Sequence, residues 1–289
     1  MEKVQRLMHF ADRSVWSTAA MVMVLGSSGS ADQLRAAQEL VTALDIVAPE
    51  DAGPFDRSSA AAQWAAPLLQ AAALVRGDAE LWESQSDEAL LAQGRASAQA
   101  APLLAQYVFP ALSGLTEALA RPGARMLDVG TGVGALAVGY AEFYPELTVV
   151  GVDVLPRVLA LAASTVAASR VADRVILREQ DVSTLDEQLT YTLAWLPAPF
   201  VPESAVREGL LRISRALVPG GWVVIGHGKF TGDPVDEAVT RFKTVAFGGT
   251  ALDDGQAQQL LSDAGFVDVC TVPTLAAAPS ITAGRRPGS

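Results

Sequence analysis

Two aspartates and a cluster of glycines between residues 124 and 154 have the types and the spacing of a ligand-binding turn. Asp128 lies in an apolar run just before the glycines, and Asp153 ends a second apolar run nineteen residues after the last of them. The cluster consists of Gly130, Gly132 and Gly134. Because glycine has no Cβ, the backbone of such a turn can pass close beneath a ligand. The pattern predicts a strand, a glycine turn, a helix and a second strand, which together form a βαβ unit that binds a nucleoside.

The two carboxylates indicate which nucleoside this unit binds. Asp153, at the predicted tip of the second strand, can accept the protons of both ribose hydroxyls. The turn sequence GTGVGA also fits a relaxed dinucleotide fingerprint, so an oxidoreductase with a nicotinamide cofactor is a second interpretation. Asp128 argues against it, because a carboxylate there would repel a pyrophosphate and would attract a ligand that carries an ammonium and a sulfonium group.

The pattern D-x-G-x-G-x-G, followed by the distal acid, resembles the class I methyltransferases that depend on S-adenosylmethionine (SAM). The Pro219-Gly220-Gly221 turn before the fifth predicted strand is a second feature that is common in that family. The resemblance implies methyl transfer from SAM, with S-adenosylhomocysteine as the product. It assigns the methionine part of SAM to Asp128 and the glycine turn, the ribose to Asp153, and the adenine to residues after the third strand. The implied cofactor-binding residues are Asp128, Gly130, Thr131, Gly132, Gly134, Asp153, Val154, Asp181, Val182 and Trp195.

The segment after the fourth predicted strand, WLPAPF, departs from the motifs that related enzymes carry there. Many small-molecule O-methyltransferases with a helical N-terminal domain have a histidine base close to a tryptophan at this place. Here Trp195 is followed by Leu-Pro-Ala-Pro-Phe, which contains no histidine. Methyltransferases that act on glutamine or on base amino groups have Asp/Asn-Pro-Pro-Tyr/Phe, but Leu196 replaces the polar residue. Both departures argue against those reactions at this position. We expect Trp195 and Phe200 to form an apolar wall for the adenine or the substrate by stacking.

Three polar candidates have both a functional and a structural interpretation. His227 follows the fifth predicted strand and is a candidate base, because histidine titrates near neutrality. A histidine at a strand end can equally bind the backbone. His9 is either a substrate contact or an ordinary core or surface residue of an amphipathic helix, and Asp181 either faces the adenine or caps the next turn.

The chain divides into two predicted domains, residues 1–120 and residues 121–289. The first is all helical, with Ser30 as a helix cap and with Pro102 and Pro110 interrupting its last segment. The second alternates strands and helices, which predicts a parallel sheet. The expected fold class is α/β, a Rossmann-like seven-stranded, mostly parallel sheet with helices on both faces, preceded by the all-α domain. The resemblance adds a last strand that runs antiparallel to its neighbour.

Composition restricts the partners. The net charge of −11 and the isoelectric point near 4.7 argue against a nucleic-acid substrate and favour a small molecule or a protein partner. The resemblance implies a small-molecule acceptor in specialised metabolism, with a hydroxyl or a carbon as the methylated atom. Cys270 is the only cysteine, and with two histidines it cannot form a conventional zinc site, so we expect no metal. No apolar stretch is long enough to cross a bilayer, so we expect a cytoplasmic protein without a membrane partner.

Two expectations concern residues 1–120, in which no chemical motif is found. The resemblance implies that this domain covers the substrate and joins two chains into a homodimer. The missing histidine after Trp195 leaves a second interpretation for the whole chain, a SAM-binding protein that does not methylate and acts as a regulatory partner of an active enzyme.

Overall fold

A computed structural model describes residues 2–45, 57–77, 82–274 and 278–288 of the chain. These residues form two compact units. The helical unit consists of residues 2–45, 57–77 and 85–99, and the sheet unit consists of residues 82–84, 100–274 and 278–288. The sheet unit therefore includes residues 100–120, which the sequence pattern grouped with the helical domain. No helix among the described residues is both long and apolar enough to span a membrane.

The helical unit contains four helices. They are α1 (Glu2–Gly26), α2 (Ala31–Ala43), α3 (Arg57–Arg76) and α4 (Asp87–Ala98). Ser30 caps α2 as predicted, since its hydroxyl accepts the amide of Gln33 at 3.3 Å while the Gln33 side chain accepts the Ser30 amide at 2.9 Å. The second half of α1 packs its apolar face against α2, with Met21, Leu25 and Val41 buried in the small core between them.

The first segment of the sheet unit after α4 is a series of short helical turns. It consists of α5 (Ala100–Leu103), a π-helical turn (Leu104–Val108), a 3-10 turn (Phe109–Ala111) and α6 (Leu115–Leu119). The predicted interruption is confirmed, because a proline has no amide hydrogen to donate and lies in α5 and again in the 3-10 turn. Phe109 is fully buried and stacks on Tyr140 with ring centroids 5.7 Å apart.

Seven strands form one sheet, as predicted. They are β1 (Arg125–Val129), β2 (Thr148–Asp153), β3 (Val175–Glu179), β4 (Tyr191–Pro197), β5 (Leu217–His227), β6 (Val267–Val272) and β7 (Ser280–Arg285). Their order is β3-β2-β1-β4-β5-β7-β6. The first five strands are parallel, and β7 is antiparallel to both β5 and β6, which confirms the expected direction of the last strand.

Five helices connect or cover the strands. They are α7 (Ala135–Phe143), α8 (Pro156–Ala167), α9 (Glu203–Ala216), α10 (Pro234–Ala246) and α11 (Asp254–Asp263). Both faces of the sheet are buried, as in parallel sheets generally. In β4, Leu193 and Trp195 join the apolar layer under α5 and α7, and Ala194 and Leu196 join the layer under α9 and α11. The Pro219-Gly220-Gly221 turn predicts a start of β5 at Trp222, which is five residues too late, because Leu217 already pairs with Tyr191 of β4.

The loop that follows β4 is held by the segment between α10 and α11. Thr250 donates its amide to the carbonyl of Ala198 at 2.8 Å and its hydroxyl to the carbonyl of Val201 at 2.7 Å. A Cβ on Gly249 would overlap the carbonyl of Pro199, so this close approach requires glycine. The loop at the carboxyl end of β4 is therefore fixed by contacts that are remote in sequence.

Replacing Thr250 by valine keeps the shape of the buried side chain and removes the hydroxyl donor. We expect the variant to lose about 1–3 kcal/mol of unfolding free energy, because the carbonyl of Val201 is left unpaired. Urea unfolding followed by tryptophan fluorescence measures this loss. The Thr250→Ser variant keeps the hydroxyl and should lose less; the opposite order of the two variants would contradict the importance of this hydrogen bond.

Candidate cofactor-binding site

The glycine turn lies between the end of β1 and the start of α7. Gly130, Gly132 and Gly134 have φ values of 60°, 57° and 78°, in the left-handed region where residues with a Cβ are strained. A Cβ on Gly132 would have one neighbour, the carbonyl of Gly130 at 3.9 Å, so the space beside this residue is open. A backbone of this form at the carboxyl end of a parallel strand is suited to close approach by a ligand.

Asp128 and Thr131 form a buried pair beneath this turn. The Thr131 hydroxyl donates to Oδ2 of Asp128 at 2.7 Å. In the sheet, Asp128 lies between Gly151 of β2 and Trp195 of β4. A Cβ on Gly151 would lie 2.6 Å from Oγ1 of Thr131, so the threonine occupies the place of the missing side chain. Sequence analysis did not identify Gly151; the signal was a glycine inside a predicted strand, which often marks a close backbone approach.

Burial dominates the electrostatics of Asp128. Its side chain is 1% exposed, and this desolvation raises the pKa of Asp128 to about 7, while the hydrogen bond from Thr131 lowers the pKa in part and the charge of Asp153 raises it. Because the folded-state pKa lies above that of the unfolded chain, the folded state keeps a proton that the unfolded chain loses above about pH 4. Asp128 therefore lowers the stability of the fold as the pH rises from about 4 to 7.

Asp153 is the last residue of β2, and two backbone amides orient its carboxylate. The amide of Gly132 donates to Oδ2 at 2.9 Å, and the amide of Leu155, just before α8, donates to Oδ1 at 3.0 Å. Partial burial raises the pKa of Asp153, and these backbone hydrogen bonds oppose the shift. Each carboxylate oxygen can accept more than one hydrogen bond, so hydroxyl donors can still bind. The structure thus brings the predicted ribose carboxylate against the glycine turn.

The residues after β3 are arranged as a cap. Oδ1 of Asp181 accepts the amide of Ser183 at 2.8 Å and caps the 3-10 turn Val182–Thr184. The Val182 side chain is buried against Gly209 of α9, where an added Cβ would lie 2.8 Å from its Cγ1. The capping interpretation of Asp181 is thus observed, and the adenine role of these two residues stays a prediction. Val154, after β2, is 55% exposed.

The aromatic residues predicted to form one wall have different surroundings. Trp195 is buried in the layer under α5 and α7, and its ring lies so close to Gly226 of β5 that a Cβ there would be 2.6 Å from Cη2. Phe200 is 38% exposed and packs edge-on against Trp82, with ring centroids 5.2 Å apart. Trp82 also contacts Phe247, at 5.0 Å. Trp82 and Phe247 are not among the predicted site residues, because no sequence motif connects them to the loop after β4.

His227 is enclosed within the sheet unit, and His9 lies in the helical unit. His227 is 0% exposed; its Nε2 lies 2.9 Å from the Thr282 hydroxyl and its Nδ1 lies 3.1 Å from the carbonyl of Gly228. Burial lowers the pKa of His227, and the nearby carbonyl and Asp254 oppose this. His227 is thus a buried strand-end histidine whose ring is bonded to neighbouring groups, which is the structural one of its two interpretations. This arrangement gives no support to a role as base. His9 is exposed on α1 in the helical unit, and its contact with substrate stays a prediction.

Comparison with known proteins identifies the part of the chain that contains the turn. Residues 126–221 match the family described as "Methyltransferase domain". The chain is 37% identical over 117 residues to a release factor glutamine methyltransferase of Cereibacter sphaeroides. That match covers 39% of this chain and 42% of the relative, so the chain spans less than half the length of this curated protein.

Solved structures show the same fold along almost the whole chain. An O-methyltransferase family protein from Burkholderia thailandensis has a TM-score of 0.69 at 17% identity, covering 99% of this chain and 98% of that protein. Human N-acetylserotonin methyltransferase in complex with SAM has a TM-score of 0.65 at 18% identity, covering 100% and 99%. The match of residues 126–221 and the shared fold confirm the resemblance of the glycine turn: this chain has a class I methyltransferase fold.

Proposed function

We propose that the protein transfers a methyl group from SAM to a hydroxyl or carbon atom of a small molecule. The observation that carries the proposal is the set of contacts that links Asp128, the glycine turn and Asp153 at the carboxyl edge of the sheet. The likeness of nearly the whole fold to O-methyltransferase structures supports a small acceptor. The net charge of −11 supports an acceptor other than a nucleic acid.

The described residues fit the parts of SAM. Asp153 has oriented oxygens for a ribose diol, and the open backbone beside Gly132 leaves room for the ligand. The carboxylate of Asp128 places negative charge below the turn, where it would attract the ammonium or sulfonium group. SAM itself supplies the reactive methyl group and a neutral leaving thioether. The contribution of the chain is then to hold cofactor and acceptor in line and to exclude water.

The proposal assigns no proton acceptor to this chain. Both ring nitrogens of His227 already have partners, and the ring is closed off from solvent. We therefore propose that His227 joins β5 to β7 through Thr282 of β7. An acceptor that is already acidic would lose its proton without a histidine base.

Glutamine methylation is not the reaction that we propose, although a curated relative is named for it. The similarity to that relative covers 39% of this chain, and Leu196 stands at the end of β4 where the polar residue for an amide group is expected. Leu196 is fully buried in the layer under α9 and α11, so it contributes packing there. A role in specialised metabolism and a cytoplasmic location are further parts of the proposal; the single cysteine is compatible with a reducing compartment.

We also propose that two copies of the chain associate through α1. The part of this helix up to Trp16 carries several exposed apolar side chains, and Leu7, Met8, Phe10 and Trp16 are each more than 60% exposed. A large exposed apolar surface is rare in monomers and is typical of interfaces between proteins. A second copy of the same helix would bury it by a self-complementary contact, as in most homodimers.

The first test is the binding of S-adenosylhomocysteine and NADH, measured by calorimetry on the wild type and on the Asp153→Ala variant. We expect the wild type to bind S-adenosylhomocysteine and not NADH. The variant should bind it about 30- to 150-fold more weakly, because about two hydrogen bonds to the ribose, worth about 2–3 kcal/mol, are lost. Glu146→Ala, an exposed acid before the other end of β2, is the matched control. Unchanged affinity in Asp153→Ala would contradict the ribose assignment.

The affinity for SAM should depend on pH through Asp128. Its pKa is raised to about 7, and a bound cation favours the carboxylate, so binding below pH 7 must remove a proton. We expect the affinity to rise with pH by up to about tenfold per unit between pH 5.5 and 7 and to level off above pH 7. Calorimetry at several pH values measures the slope. The Asp128→Asn variant should bind more weakly with a flatter pH dependence; an equally steep slope in this variant would exclude Asp128 as its source.

The dimer proposal predicts that charge on α1 separates the copies. We expect the Leu7→Glu/Phe10→Glu variant to have half the mass of the wild type in light scattering coupled to size-exclusion chromatography. Its far-ultraviolet circular dichroism should be unchanged, because both side chains are exposed. Val75→Glu on α3, also an exposed apolar residue of the helical unit, is the control. A wild type that is monomeric at micromolar concentration would overturn the proposal.

A further inference from the structure

A short segment that is distant in sequence from the methyltransferase domain packs onto its carboxyl edge. Trp82–Ser84 forms a 3-10 turn and belongs to the sheet unit. The Trp82 ring contacts Phe200, in the loop after β4, and Phe247, which follows α10. The next residue, Glu83, accepts a hydrogen bond from Nη1 of Arg157 at 3.4 Å through its carbonyl oxygen. Arg157 lies in the first turn of α8, which follows β2.

These contacts fall on both sides of the glycine turn. In the sheet, β1 lies between β2 and β4. The segment is held on one side by α8, two residues beyond the Leu155 amide that orients Asp153, and on the other side by the loop after β4. These two adjacent residues thus bridge the segments that follow both neighbours of β1, on either side of the carboxyl end of β1. The Gly130–Gly134 turn, where we place SAM, starts at that end.

The two sides differ in how firmly they can be held. The loop after β4 is anchored by Thr250, so Phe200 rests on a fixed base. The hydrogen bond from Arg157 is long and lies in an exposed position, and such a bond contributes little in water. The indole Nε1 of Trp82 is buried and has no hydrogen-bond partner among the described residues, which disfavours the closed position. The attraction between the rings is therefore partly offset, as in an element with two accessible positions.

We propose that Trp82–Ser84 is a strap over the cofactor site and that Trp82 controls the exchange of cofactor. The strap rests on the proposed function, because it covers the turn assigned to SAM. In the closed position, Trp82 packs between Phe200 and Phe247 and shields the carboxyl edge of the sheet from water. In the open position, Trp82 leaves the two phenylalanines, its indole N–H reaches solvent, and the glycine turn is accessible.

The test is the association and dissociation rates of S-adenosylhomocysteine, measured by surface plasmon resonance on the immobilised full-length protein. We expect Trp82→Ala to raise both rates at least fivefold and to change Kd less than threefold, because a strap is a barrier common to entry and exit. Trp82→Phe keeps an aromatic ring and removes the unpaired donor, so its rates should be no faster than those of the wild type. The matched control is Trp64→Ala, a tryptophan that is 41% exposed on α3.

Arg157→Ala removes the contact on the other side of the strap and should raise both rates in the same way. This variant provides the second test if circular dichroism shows that Trp82→Ala does not fold. Rates within twofold of the wild type in both variants would overturn the strap. A higher Kd with an unchanged association rate would also overturn it, since that result indicates a direct contact. A wild-type protein that binds no S-adenosylhomocysteine would instead refute the proposed function, and the strap with it.

Discussion

The buried carboxyl of Asp128 is the constraint on which the arrangement of the site depends. A charge out of contact with water is costly, and here a single hydrogen bond from Thr131 offsets part of the cost. That bond requires Thr131 to lie over β2, which is possible only because Gly151 has no side chain. The turn between β1 and α7 must then follow a left-handed path at its glycines. The burial of Asp128 thus explains why Thr131 and Gly151 occupy their positions, and it explains part of the conformation of the glycine turn.

The cost of burying a charge also explains why the carboxyl groups of Asp128 and Asp153 have different environments. Asp153 is only partly buried, and two backbone amides hold its oxygens in a fixed direction. Asp128 has a less polar environment and a pKa near neutrality. One carboxylate is suited to directional hydrogen bonds with a sugar, and the other is suited to responding to a nearby positive charge. Because Asp153 raises the pKa of Asp128, a bound cation would relieve an unfavourable interaction that already exists in the free protein.

The loop after β4 is held in a different way from the glycine turn. The loop after β4 has its backbone tied down by Thr250 and Gly249, while the aromatic side chains around it come from separate parts of the chain. The position of this loop is therefore set by backbone contacts, and its aromatic surroundings are set by side chains that only folding brings together.

The sequence alone determined the features that depend on local chemistry. Glycine spacing, strand-end acids and alternating elements predicted β1, the turn, β2 and the seven-stranded sheet, because backbone conformation and burial of both sheet faces limit which residues can stand there. Prolines located the breaks between Ala100 and Ala111 for the same reason. The tertiary structure decided what depends on partners far apart in the chain. It placed His227 inside the β5–β7 pair, Trp195 against Gly226, and Trp82 against Phe200. A side chain's type does not reveal whether its neighbours leave it open to solvent, since those neighbours are brought together only by folding.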